Sequence, residues 1–317
     1  VQFTVIMKYL ALLFSALLFI SCQTGQTKTD IKSPRFELIV LGIAQDAGFP
    51  QAGCTKEQCQ LYWSGNEEKR SPVSLGLVDN ETHQSWMFEA TPDFKDQLHH
   101  LSTTTQAELK GIFLTHAHMG HYTGLMHLGR EVMGASKMPV YAMPKMANYL
   151  SDNGPWSQLL SLKNIAIKPL QADSSIHLSP ELSVTPFLVP HRDEFSETVG
   201  FKINAPEKSI LFIPDINKWN IWERSIIDEI AKVDIAFLDG TFYDADELPG
   251  RDMNEIPHPF IEESIELFKN LPESEKAKIT FIHFNHTNPL LLNTPERALV
   301  EQQGFNVASQ GQTISLD

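Results

Sequence analysis

Residues 115–125 read THAHMGHYTGL and place His116, His118 and His121 within six positions, directly behind the apolar run Gly111-Ile112-Phe113-Leu114. Side chains alternate along an extended chain, so His116 and His118 point to one side of a strand end. A helix starting near Gly120 adds His121 from its first turn. Imidazole is the commonest metal ligand at neutral pH, and three converging rings suit zinc or iron. Other polar residues also terminate apolar runs. His191 follows LSVTPFLVP, Asp215 follows SILFIP, Asp239 follows VDIAFL, and His283 ends KITFIH with His286 close behind. Singly, each reads equally well as a cap or a turn, Asp215 as a helix N-cap and Asp239-Gly240 as a turn. As a series they predict convergence on one edge of a sheet.

The elements that must position these residues alternate between strands and helices. Strands are predicted at Phe36 to Ile43, Val73 to Val78, Ser85 to Glu89, Gly111 to Leu114 and Pro139 to Ala142. A second set follows at Leu182 to Val189, Val199 to Ile203, Ser209 to Ile213, Val233 to Leu238 and Lys278 to His283, with short strands near Val307 and Thr313. Helices are predicted after Thr91-Pro92-Asp93, over Tyr122 to Met133, beyond Asp215, over Pro259 to Lys269 and over Pro295 to Gln302. The loop AQDAGFPQAGC after the first strand is broken by Gly48, Pro50 and Gly53. Sheets covered by helices, with polar residues at strand ends, predict a layered α/β or α+β sandwich. Glu89 and Asp93 read as structural, a strand end and a first-turn acid.

The order HAHMGH, His191, Asp215, His283 resembles the metallo-β-lactamase fold superfamily, whose H-x-H-x-D-H motif is followed by a histidine, a bridging aspartate and a last histidine. Within it, LGIAQDAGFPQAGC, FEATPDF (Phe88–Phe94), LDGTFYDADEL (Leu238–Leu248) and IHFNHTNPLL (Ile282–Leu291) are similar to the pyrroloquinoline quinone biosynthesis B branch. The resemblance covers residues 36–317. It implies the α+β class, a four-layer αββα sandwich, and metal ligation by His116, His118, His121, His191, Asp215 and His283. It also implies zinc, one ion or two, with iron or manganese as alternatives. Gly120 departs from the motif, since the family's aspartate there binds the second metal and holds the bridging water. The first position keeps His116, His118, His191 and Asp215. The second keeps His121, His283 and Asp215, and a water or another carboxylate such as Asp46 must complete it. His258, in MNEIPHPF, is either a residue acting near the leaving group or a surface-loop histidine.

The chain carries a net charge of −14 over 317 residues, which argues against nucleic acid as a partner. Met7-Lys8, the apolar run Tyr9 to Ile20 and Ser21-Cys22 form a basic start, a short apolar core and a cleavage site. The end of that run resembles a lipobox, which predicts a lipoprotein signal over residues 1–21 and a lipid on Cys22. A plain signal peptide is the alternative. Residues 22–35 read as a polar tether. The expected location is the cell envelope, lipid-anchored and facing the periplasm or the exterior. Cys54 and Cys59 form a disulfide, contribute to a small metal site, or stay as free thiols.

The functional expectation is a metal-dependent hydrolase acting on an ester, with a phosphodiester favoured, through water activated by the metal. Asp215, His258 and Asp46 are the candidate catalytic residues, and the substrate is a small molecule or a peptide. The alternatives are an iron-dependent oxidoreductase resembling the quinone-biosynthesis branch and a non-catalytic metal-binding envelope lipoprotein. β-Lactam hydrolysis is disfavoured by the incomplete second ligand set.

Overall fold

Period-two alternation in the first strands sets up two layers of core. In the strand β1 (Phe36–Gly42), Leu38 and Val40 pack into one apolar cluster while Ile39 and Leu41 pack into another. The computed structural model describes residues 34–252 and 255–317. The predicted signal segment and residues 22–33 of the tether lie outside them. The strands are completed by β2 (Ser74–Asp79), β3 (Gln84–Phe88), β4 (Glu108–Phe113), β5 (Met138–Ala142), β6 (Ile165–Pro169), β7 (Ile176–His177), β8 (Ser183–Leu188), β9 (Val199–Asn204), β10 (Ser209–Ile213), β11 (Ile235–Asp239), β12 (Ile279–Ile282), β13 (Asn306–Val307) and β14 (Thr313–Ser315).

These form two seven-stranded sheets, ordered β14-β1-β2-β3-β4-β5-β6 and β13-β12-β11-β10-β9-β8-β7. Phe88 and Phe113 of the first sheet meet Phe201 and Phe212 of the second, with ring centroids 5.4 to 6.2 Å apart. The outer face of the first sheet presents Met87 and Ile112 to Phe94 and Leu101 of the helix Phe94–Thr105. Ile226 and Ile230 of the helix Ile226–Ile230 and Ile261 and Phe268 of the helix Ile261–Phe268 pack with the second sheet. Two sheets flanked by helices are the α+β architecture expected.

Strand direction brings the polar ends together. β3 and β4 run parallel, as do β10, β11 and β12. β9 is antiparallel to both β8 and β10, so β8 shares the direction of β10. The segments leaving β3, β4, β8, β10, β11 and β12 therefore emerge on the same side of their sheets. Backbone bonds then join the sheets at this edge: Val199 N–H donates to Thr115 O at 3.2 Å, and Phe284 N–H to Ile43 O at 2.8 Å.

Two expectations need correction. The helix over Tyr122 to Met133 is instead a single turn, Met119–Tyr122, followed by a 3-10 segment, Thr123–Leu128. The N–H of Gly124 is diverted to Ala90 O at 2.8 Å, which removes it from the helical ladder. The chain beyond Asp215 forms only a 3-10 turn, Trp219–Ile221, before the helix Ile226–Ile230. Cys54 and Cys59 are free thiols, with His286 beside them. No helix among the described residues is long and apolar enough to cross a membrane.

Candidate metal centre

Asp215 is the hub of the site. Its Oδ2 lies 3.3 Å from His116 Nε2 and 3.7 Å from His121 Nε2, and its Oδ1 lies 3.3 Å from His191 Nε2 and 3.2 Å from His258 Nδ1. His118 Nδ1 lies 2.8 Å from His116 Nε2 and 3.3 Å from His191 Nε2. The donor atoms of His116, His118, His191 and Asp215 all fall within 4.8 Å of one another, and so do those of Asp46, His121 and His283. Asp46 Oδ1 is 3.5 Å from His121 Nε2.

These spacings fit a metal. Two donors bonded at about 2.0–2.1 Å to one tetrahedral ion lie about 3.3 Å apart. Asp215 Oδ1, His121 Nε2 and His283 Nε2 are buried and make no hydrogen bond. Buried polar atoms without a partner are costly, and these three, divided between the two histidine groups, point to cations held among them. The outward nitrogens are held by other groups. His116 Nδ1 lies 2.8 Å from Thr115 Oγ1, His118 Nε2 3.1 Å from Glu194, His191 Nδ1 3.1 Å from Asn217 Oδ1, and His283 Nδ1 2.9 Å from Thr241 Oγ1. Such contacts fix ring orientation and tautomer.

The electrostatics follow from burial and charge. Burial opposes ionisation of Asp215, but His191, His258 and the contact with His116 outweigh it and hold the carboxyl well below its usual range. Burial, helped by His121, pushes His116 well down, and burial lowers His191 and takes His283 to about 4. All three rings are therefore neutral at pH 7, as ligation requires. His121 resists its burial through Glu89 and Asp46 and is raised to about 10, so a cation bound there would displace its proton. His258 resists likewise through Asp239 and Asp215 and reaches about 9.

Every candidate read from the sequence reaches this edge, Asp46 and His258 included. The surface-loop reading of His258 fails, since the ring is 5% exposed. Its Nδ1 lies 2.9 Å from Asp239 Oδ2. Asp215 does not cap a helix; the N–H of Ile216 goes to Asp239 Oδ2 at 3.0 Å. Asp239 does make its predicted turn, accepting from Thr241 N–H at 2.9 Å, and it also holds His258. Glu89 is more than a strand end. It is fully buried, accepts from Thr115 Oγ1 at 2.5 Å and faces His121 Nδ1 at 3.3 Å. The signal was present, because Glu89 ends the apolar strand SWMF as the other site residues end theirs. Asp46, Glu89 and His283 adopt positive φ of 34°, 77° and 71°, a strain of about 1–3 kcal/mol each that collects where geometry is functionally constrained. Thr241, Asn217 and Glu194 were invisible in the sequence, being ordinary polar loop residues.

The two-sheet sandwich with histidines and aspartates at one edge is the metallo-β-lactamase fold. The family described as beta-lactamase superfamily domain matches residues 86–284, and the chain belongs to it. The chain is 25% identical over 305 residues to coenzyme PQQ synthesis protein B of Methylorubrum extorquens (strain PA1), spanning 88% of this chain and 99% of that one. Its structure is similar to Zn(2+)-bound PqqB from Methylobacterium extorquens, with a TM-score of 0.74, 25% identity, and coverage of 88% of this chain and 99% of that one. A diphosphatase from the PhnP family shares the fold, with a TM-score of 0.61, 21% identity, and 89% and 98% coverage.

Proposed function

We propose that the chain is a metal-dependent hydrolase acting on an ester, a phosphodiester above all. The observation that carries this reading is Asp215. Its two oxygens reach toward two histidine groups at separations suited to shared ligation, and Oδ1 has no hydrogen-bond partner. His116, His118, His191 and Asp215 would hold one cation, and His121, His283 and Asp215 part of a second position. A bound metal supplies Lewis acidity and acidifies water.

The chain's own residues do the rest. His258, with Nδ1 engaged by Asp239, keeps Nε2 to hold a proton for a departing oxygen. Thr241 joins Asp239, His258 and His283 through one hydroxyl, at 2.6, 3.2 and 2.9 Å, and so sets both rings relative to each other. Beside Asp46 a cavity of about 310 Å³ is lined by Gln45, Phe242, Leu248, Arg251 and Asn285. Its size suits a small substrate, and the Arg251 guanidinium supports an anionic one.

The test is turnover of chromogenic phosphodiesters, carboxylic esters and lactams by metal-loaded protein. The expected result is diester hydrolysis that His116→Ala and His191→Ala each lower by about a thousandfold or more, the value of several kcal/mol of lost charge stabilisation. Absence of turnover on every substrate would replace this reading with a non-catalytic metal-binding protein. A second reading is an iron-dependent oxidoreductase, supported by histidines and a carboxylate of a kind that suits iron. Protein purified without added metal separates the two, since tight zinc without iron, together with diesterase turnover, excludes it. Envelope anchoring through Cys22 is a separate proposal, supported by the sequence of residues 7–22.

A further inference from the structure

Gly120 is a glycine for reasons of space. It lies in the turn Met119–Tyr122, where glycine costs about 1 kcal/mol relative to alanine. Its φ is not in the left-handed range, so the backbone conformation does not demand it. A Cβ at this position would come 2.4 Å from the Cα of Asp46 and 2.8 Å from both its carbonyl oxygen and Oδ1. No side chain at position 120 is compatible with the present path of residue 46.

That path is built. Gln45 N–H donates to Phe284 O at 2.8 Å, tying the loop to the segment that carries His283, and Gly48 N–H donates to Gln45 O at 2.9 Å. Asp46 accepts a φ of 34° between these anchors. Its Oδ1 stands 3.5 Å from His121 Nε2 and within 4.8 Å of the donor atom of His283. Both of those rings are fully buried, and their Nε2 atoms have no hydrogen-bond partner.

We infer that Asp46 is the carboxylate ligand of the second metal position, delivered by the loop after β1 into the space that Gly120 leaves open, so that Asp46, His121, His283 and Asp215 hold a second divalent cation. The two positions form one device: a carboxylate supplied from a distant loop, and a glycine that admits it. The inference rests on the metal-centre reading above.

The test is zinc stoichiometry of metal-stripped protein, measured by competition with a chromophoric chelator and by elemental analysis after desalting. His191→Ala and His283→Ala serve as controls for the two positions. Asp46→Asn and Asp46→Ala are expected to bind one equivalent fewer than the unaltered chain, with circular dichroism of the metal-free forms confirming that the fold is kept. Gly120→Ala is expected to lose the same equivalent, since its methyl group displaces Asp46. If Gly120→Ala does not fold, the Asp46 variants decide. Full stoichiometry in Asp46→Ala overturns the inference, even if turnover falls, since Asp46 would then orient water without binding metal. If neither control loses zinc, the metal-centre reading itself fails.

Discussion

Glu89 Oε1 lies 3.3 Å from His121 Nδ1, on the ring nitrogen opposite the one that faces Asp46. The same carboxylate accepts from the Thr115 hydroxyl, which in turn contacts His116 Nδ1 at 2.8 Å. One buried acid thus orients a ring in each ligand group. Glu89→Gln keeps the shape and removes the charge, and should weaken zinc binding by about 10–100-fold. Chelator competition on the variant, with circular dichroism to confirm the fold, checks this.

His258 contacts Asp215 and Asp239 without belonging to either histidine group. His258→Ala should lower kcat by about 10²–10⁴-fold while leaving metal content unchanged. The loss should shrink for diesters with acidic leaving groups, which need no proton. A comparison of nitrophenyl and alkyl esters reads this directly, and an equal loss on both would remove His258 from proton transfer.

His286 is half-buried, and burial, with a contribution from Lys56, lowers its pKa to about 4. An unfolded histidine titrates near 6.5. Between these values the folded form binds fewer protons than the unfolded, so the stability contribution is present above about pH 6.5 and is lost as pH falls through 4. Metal-stripped protein should lose stability between pH 7 and 5, and His286→Gln should lose about 1 kcal/mol less after allowance for partial solvation. Urea midpoints at the two pH values decide the matter.

Phe88 touches Phe113 within its own sheet and Phe201 and Phe212 across the interface. Phe88→Ala should cost about 3–5 kcal/mol by opening a cavity between the sheets. Because Glu89 is the next residue, metal affinity should fall as well, measurable by denaturant unfolding with and without zinc.

Most strands were legible, because apolar runs of four to eight residues bounded by turn signals have few alternatives. The short helix at Met119–Tyr122 was misjudged in length because its termination depends on Ala90 O, a partner far away in the chain. The helices Glu57–Trp63, Pro144–Asp152 and Trp156–Ser161 and the strand Ile165–Pro169 went unread. They are short, and packing rather than intrinsic preference selects them.

The sequence by itself determined which residues gather at the candidate centre. A histidine or aspartate closing a buried strand is placed at the sheet's edge by the strand, whatever surrounds it. That logic reached His116, His118, His191, Asp215 and His283. The tertiary structure alone decided how they combine: that Asp215 Oδ2 stands between His116 and His121, one from each histidine group, that Glu89 stands behind His121, and that Asp46 fills the space beside Gly120. These are relations between loops on different strands. Their spacing depends on how two sheets pack, which no local pattern of residues encodes.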